Sequence, residues 1–504
     1  MSEKPTDNNE PDPFADFDDW NILNSDVGSI ANLIGNELTK VQESIIQCNI
    51  NLSQSKEAWY KKVDAFEVEL DKITNEEKRD ITRNQFIIRF NHHNFTEGQH
   101  QSFLSYRFPC PVDFSNVNFG QKAINFSSAK FWGNVNFNHA KMCDAGIFFN
   151  DAKFFKGDVT FNNVDFCNGD ISFNNTNFYD GGISFKNSTF GKGSISFAES
   201  KFDKERTCNI NFDKSRFNNS KKISFARAKL KGDFRFTPDK ENSTIENANF
   251  DDLEVGGNLT INANFEGAAT FQRLDVKGSA DFSGCKFKQV PDFRDMKLDR
   301  PPEVAGMKVP PEKLKMGFNP LAKYSGDKDD VTKYRKLKSM AIAASDHVKS
   351  GEFFAYEMMA KRGIETIDFI PLLFNYLYGL FSGYGQSYKR PVAWLTASWI
   401  FFACINIWKI FQELVFVSEL DFWKNIGLSF TLSARNLIPF FNSLSRFAPA
   451  PKDHVSWFQK SMNRLETEGV NIDLLTVSGI VEQLIGAILL FLLLLGLRNK
   501  FRLK

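Results

Sequence analysis

Phenylalanine returns on a 12-residue clock through the first half of this chain. Phe161 and Phe166, Phe173 and Phe178, Phe185 and Phe190, and Phe197 and Phe202 are four successive pairs, five residues apart within a pair and twelve between pairs. The phase runs back through Phe149 and Phe154 and, with one residue lost, to Phe126 and Phe131. A fixed short period requires stacked coils, each burying the face its neighbour leaves open. Two residues before each Phe is a second position on the same face, alternating Val159, Ile171, Ile183, Ile195 with Val164, Thr176, Ser188, Ser200. A spacing of two on one face marks strands. The residues between are Asn, Asp, Gly and Lys, mostly turn formers. Each Phe therefore belongs to a very short strand, after which the chain turns a corner.

With this unit, Phe-x-x-small-x-Phe-x-x-Gly-x-Ile/Val-x, the stretch from about 110 to 300 resembles the pentapeptide-repeat family. The resemblance implies a right-handed, four-sided β-helix with the central Phe or Leu of each unit stacked inside. Four faces use about 24 residues per coil, giving roughly eight coils and a rod on the order of 35–40 Å at ~4.8 Å per rung. The period slips at 203–211, where three extra residues surround Lys204-Glu-Arg-Thr207, and again at 237–247. Both insertions are expected to bulge from a corner.

The remaining composition divides the 504 residues into a mixed-class chain. Residues 1–20 are acidic and polar, read as a disordered tail without the apolar core of a signal peptide. Over 21–83 Ile30, Leu33, Ile34, Leu38, Val41, Ile45 and Ile46 follow helical spacing, and Trp59, Val63, Phe66, Val68 and Leu70 continue it more loosely. This predicts either a coiled coil or a helical hairpin covering the open end of an 84–300 solenoid. Pro301, Pro302, Pro310 and Pro311 are expected to end the coils and open a 301–328 linker. Residues 329–363, with Tyr334, Leu337, Ala341, Phe353 and Phe354, read as a helical adaptor.

Residues 364–504 carry the greasiest segments. Pro391–Trp408 holds eighteen residues without a charge, and Leu474–Leu497 has one, Glu482. Both meet the length of a membrane span, about 391–411 and 474–497. Gly479 and Gly486 would let the second approach a neighbour closely. Lys389 and Arg390 before the first span, and Arg498, Lys500, Arg502 and Lys504 after the second, assign both chain ends to the cytoplasmic side of the cell membrane. Residues 364–384 suit an interfacial helix, with a third span as the alternative, and 422–441 a re-entrant half-helix and loop. Gly383-Tyr384-Gly385 lacks the preceding Thr-Val of a potassium filter and lies outside the inter-span loop. The stretches LYGLFSGYGQSYKRPVAWL, LSFTLSARNLIPFF and LFLLLLGLRNKFRLK resemble a membrane module attached to bacterial pentapeptide-repeat proteins. That resemblance implies an ion-channel-like pore.

Candidate chemistry is sparse. Ser429, Thr431, Ser433, Arg435, Asn436 and Glu482 are the polar residues closest to bilayer depth, where ionisable groups default to function. In a pore Arg435 would bias anions and Glu482 would face water; otherwise the two form a structural salt bridge, or Glu482 sits at the headgroups. His92, His93 and His100, with Glu97 nearby, match no zinc spacing. No phosphate loop, GxSxG, HExxH or paired-carboxylate motif occurs, so neither enzyme activity nor a cofactor is predicted. Seven cysteines lie scattered without a CxxC pair and read as small buried residues. Over 110–300 there are 26 Lys/Arg against 24 Asp/Glu, which argues against both a DNA mimic and nucleic-acid binding. Two functions remain: an oligomeric pore with a cytoplasmic sensing solenoid, requiring a homo-oligomer because two spans enclose no water path, or a scaffold anchored in the lipid bilayer for a cytoplasmic protein partner.

Overall fold

A computed structural model describes residues 56–71, 76–85, 87–90, 102–142, 144, 146–203, 208–309, 327–413, 419–437 and 472–501. It divides into two compact units, one holding the repeat and one the C-terminal helices.

The repeat is a parallel β-solenoid of about eight turns. Its strands, most of two residues, align in columns of nine, ten and nine. A fourth line of parallel bridges joins Asn118, Lys141, Asp165 and Thr189. Val159 pairs with Ile183 and Ile171 with Ile195, the expected offset of 24 residues. Pairing reaches past Pro301 and Pro302 to Glu303 and Lys308, so those prolines belong to the last coil instead of ending it.

The Phe side chains form the core in four stacked columns. One runs Phe103, Phe126, Phe149, Phe173, Phe197, Phe225, Phe250, Phe271, Phe293, with successive centroids 4.6–5.6 Å apart. A second runs from Phe90 through Phe114, Phe137, Phe161 and Phe185 to Phe212. Phe108, Phe131, Phe154, Phe178 and Phe202 make the third, and Phe166, Phe190 and Phe217 the fourth. The first two columns meet edge to face, as where Phe161 lies 6.1 Å from Phe173 at 78°. That arrangement satisfies the ring quadrupoles as well as the burial.

The corners use two devices. Two residues after the leading Phe, Asn163, Asn175 and Asn187 take φ of 58°, 54° and 59°, the left-handed region that Asn tolerates best among L-residues with a side chain beyond glycine. Glycine serves the other corner through close approach. A Cβ at Gly181 would sit 2.0 Å from the Gly157 carbonyl oxygen of the coil before it. Asn and Asp carboxamide and carboxylate oxygens also bind the next coil, as where Gly182 N donates to Asp158 Oδ1 at 2.6 Å.

Both insertions shift the register of the coils. Ile183 pairs with Ile210, an offset three residues longer than its neighbour below, with a register shift beside Cys208. Residues 204–207 lie outside the described residues. At the second slip Arg216–Ser224 and Thr244–Asn249 pair as long strands with one irregularity between Asn218 and Ser220, and residues 240–242 ahead of the second strand form a bend in which Glu241 and Asn242 are exposed.

Helices α1 (Lys56–Asp71) and α2 (Glu76–Gln85) precede the coils. Tyr60 donates to the Ser105 carbonyl at 2.7 Å, and Arg107 pairs with Asp64 and Glu67. Further along, Asp80 pairs with Lys156, and the Arg83 guanidinium lies 5.7 Å over Trp132. Arg107, Trp132 and Lys156 stand on successive coils, so the helix pair lies along a flank where an end cap was expected. These two helices are too short for a sustained heptad seam; residues 21–55 lie outside the described residues.

Cys110 and Cys285 are buried in the solenoid, and burial pushes each thiol up to about 12. At about pH 8 that leaves on the order of one thiolate in 10⁴. Iodoacetamide should therefore label half-exposed Cys167 in the native protein and reach Cys110 and Cys285 only as the coils unfold. Mass spectrometry of the labelled peptides checks this; equal labelling of all three would mean the coils are open.

After the coils come α3 (Asp330–Ala343), whose residues from Ser339 on belong to the first unit, and, in the second unit, α4 (His347–Ala360), α5 (Phe369–Ser382), α6 (Lys389–Glu413), α7 (Glu419–Leu437) and α8 (Ile472–Phe501). Glu357 on α4 is 2% exposed and gathers Lys338, Arg335 and Lys361. Burial opposes its charge, but the hydrogen bonds from Lys338 and Lys361 outweigh that and hold it below the usual carboxylate range.

Candidate functional site

Two helices have the length and apolarity of membrane spans. Lys389–Lys409 has a mean hydropathy of 1.4 and Val477–Phe501 of 2.5, yet only 22% and 28% of their apolar windows are buried. Phe401, Leu484, Phe491 and Leu494 are each more than 60% exposed. A core helix of a water-soluble protein hides such side chains; a helix in lipid presents them. At fourteen residues and ~1.5 Å each, α5 spans only ~21 Å, short of a ~30 Å hydrocarbon layer.

The spans run antiparallel. Asn499 Nδ2 donates to the Gly385 carbonyl at 3.0 Å, and Lys500 Nζ lies 4.2 Å over the Tyr388 ring. Eleven residues further along α6, Trp399 meets Glu482 of α8 through Ser433. Lys389, Arg390, Arg498 and Lys500 thus collect at one end of the bundle.

Between the two apolar helices α7 is a continuous helix of 19 residues, and residues 438–441, where the sequence suggested the loop of a re-entrant segment, lie outside the described residues. The packing of α7 uses the glycines of α8. A Cβ at Gly486 would lie 2.1 Å from the Leu437 carbonyl oxygen, and one at Gly479 would lie 2.8 Å from Asn436 Nδ2. The helix pattern was legible up to Pro439; its full length was not, because polar Asn425, Ser429 and Ser433 face inward, to α6 and α8, and break the apolar signal.

The six polar candidates separate sharply. Ser429 is fully buried and bonds its own helix at the Asn425 carbonyl, 2.9 Å away. Thr431 is exposed and does the same to Gly427 at 2.7 Å. Such i−4 bonds occupy the hydroxyl locally. Arg435 is half-buried in the last turn of α7, where a cation complements the helix dipole. Ser433, Asn436 and Glu482 come together. Ser433 and Glu482 are both fully buried; Ser433 Oγ faces the Trp399 carbonyl at 3.0 Å and Glu482 Oε1. Glu482 therefore pairs with Ser433 and sits inside the helix bundle. Its Oε2 is buried and closes no hydrogen bond of good geometry, although Asn436 stands alongside. Trp399, which also donates its indole N–H to the Phe430 carbonyl at 3.0 Å, was not singled out from sequence. Neither were the buried acceptors Ser398 Oγ and Asn406 Oδ1, which lack partners.

A second polar centre went unrecognised. Arg362 Nε donates to Asn375 Oδ1 at 2.9 Å, Tyr384 Oη donates to the same oxygen at 2.9 Å, and Arg362 reaches the Tyr384 hydroxyl. Tyr384 is 1% exposed and holds a φ of 57°, between Gly383 and Gly385, also left-handed. This turn joins α5 to α6, and Gly383 caps α5. The Gly-Tyr-Gly run thus serves to bury one phenol, a role with no sequence signature beyond the flanking glycines.

Among the described residues no group of three His, Cys, Asp or Glu is arranged to hold a metal; His92, His93 and His100 lie outside them. Comparison with family models, with curated proteins and with solved structures found no match.

Proposed function

We propose that this chain is a pentapeptide-repeat protein anchored in the cytoplasmic membrane, whose right-handed, four-sided β-helix serves as an interaction platform on the cytoplasmic side. The carrying observation is the pair of antiparallel apolar helices whose large apolar side chains are left exposed while Glu482 is buried against Ser433 of α7. Four columns of stacked Phe and a fourth line of bridges support four sides. The 24-residue offset supports the family reading. Antiparallel spans keep both chain ends on one side, and the Lys389, Arg390, Arg498, Lys500 cluster favours the cytoplasm. The coils present regular faces, including an outward ladder of Trp132, Phe155 and Tyr179 with centroids 4.4 and 5.2 Å apart.

A pore is the second reading, and one observation favours it. The side of α7 bearing Trp423, Gly427 and Thr431 is exposed in the single chain, which suits burial against further copies. Against it, Ser429, Ser433 and Glu482 are consumed inside one subunit. Size measurement of the detergent-purified protein, followed by planar-bilayer recording, separates the two. A monomer without conductance supports the platform; a ring that conducts, with ion preference altered by Thr431→Lys, replaces it with the pore.

A further inference from the structure

The Ser433–Glu482 contact is short of one positive charge. A hydroxyl carries a single hydrogen. Ser433 Oγ nevertheless faces two acceptors at hydrogen-bonding range, the Trp399 carbonyl and Glu482 Oε1. If the hydrogen points to the carbonyl, two lone-pair-bearing oxygens confront each other. If it points to the carboxyl, the carbonyl loses that contact. Among the described residues the second carboxyl oxygen closes no hydrogen bond, and no cationic side chain pairs with the group. Glu482 is wholly buried on the longest and greasiest helix of the chain. An uncompensated carboxylate there is among the costliest arrangements a bundle can hold.

We infer that the pocket formed by Glu482, Ser433, Asn436 and the Trp399 carbonyl takes up one monovalent cation, either a proton or an alkali ion of sodium size. A single carboxylate balances a single charge, which disfavours a divalent ion in this low-dielectric site. The carboxyl, hydroxyl, carboxamide and carbonyl oxygens are the hard donors an alkali ion prefers. A proton on Oε1 would donate to Ser433 Oγ and leave that hydroxyl's own hydrogen for the Trp399 carbonyl; an alkali ion would also take Oε2 as a ligand. Because Ser433 comes from α7, Glu482 from α8 and Trp399 from α6, the cation ties the three helices at one point. The site rests on the membrane reading only, and not on whether the bundle conducts.

The test uses the full-length protein. An alkaline carbonate wash of membranes comes first; loss of the protein to the supernatant would remove the membrane reading and is a separate result. Thermal unfolding of the detergent-purified protein is then followed by tryptophan fluorescence, in sodium or choline chloride at equal ionic strength, at about pH 6 and about pH 9. For an alkali ion, sodium raises the Tm over choline by at least about 2 °C near pH 9, and the difference shrinks near pH 6, where protons compete. For a proton alone, the Tm falls from the acid to the alkaline condition in both salts. Glu482→Gln supplies N–H donors without charge and should abolish whichever dependence the wild type shows. A wild type indifferent to both variables, or a Gln variant that keeps the same dependence, overturns the proposal. If the Gln variant fails to accumulate, Ser433→Ala gives a second comparison: it removes one oxygen donor and should weaken a sodium dependence, whereas it deprives the carboxylate of a hydrogen bond and should strengthen a proton dependence; no change in either overturns the proposal.

Discussion

Phe173→Ala should cost the solenoid about 3–5 kcal/mol, close to the whole stability of many domains. Phe173 is fully buried, stacks on Phe149 at 4.7 Å and Phe197 at 4.9 Å, and meets the edges of Phe161 and Phe185. Removing it deletes one ring from the middle of a column and the edge and tilted contacts it makes with the neighbouring columns. In a stacked repeat, stability is a sum of coil and interface terms, so a central loss weakens two interfaces at once. Tyr179→Ala is the control. Tyr179 also stacks, on Phe155 at 5.2 Å, but it is 39% exposed on the outside, and its loss should cost under about 1 kcal/mol. Phe173→Leu keeps most of the volume and should fall between the two. Guanidinium unfolding followed by circular dichroism gives the ranking. Equal shifts for Phe173→Ala and Tyr179→Ala would mean that the periodic rings are not the core.

The same contrast explains which parts of the molecule were legible beforehand. The 12-residue period encodes a contact that recurs in every coil, so the sequence repeats the evidence for it many times. Span lengths are equally local, a matter of apolar residues in succession, and the helices Lys389–Glu413 and Ile472–Phe501 lie within a few residues of the expected ends. One-off tertiary contacts leave no such trace. Nothing near Ser433 announces Glu482, 49 residues away, and nothing near Arg362 announces Tyr384. The flank position of α2 depends on Trp132 and Lys156, coils distant from it in sequence. The lengthened strand at Arg216–Ser224 was not legible for another reason: an irregular unit can extend its strands as well as bulge, and composition alone does not announce it. The repeat asparagines were read correctly as turn formers, but which of them adopts positive φ follows from coil geometry.

Removing the two spans should move the protein from pellet to supernatant. A fragment ending before Asp327 keeps the coils, α1 and α2, all within one compact unit, and should retain β-rich circular dichroism after high-speed sedimentation without detergent. The full chain should resist both salt and alkaline carbonate. The magnitude follows from the exposed faces: Phe401, Leu484, Ile488, Phe491 and Leu494 alone present five large apolar side chains. At about 2 kcal/mol each they favour lipid over water by about 10 kcal/mol, a ratio on the order of 10⁷. A single Leu484→Arg, at a cost of about 3 kcal/mol in mid-bilayer, should therefore weaken insertion without releasing the protein. Full-length protein found in the supernatant would reassign those side chains to a protein partner. The exposed apolar stripes of α6 and α8 would then mark a docking surface, and the positive cluster at Lys389, Arg390, Arg498 and Lys500 would lose its bearing on sidedness.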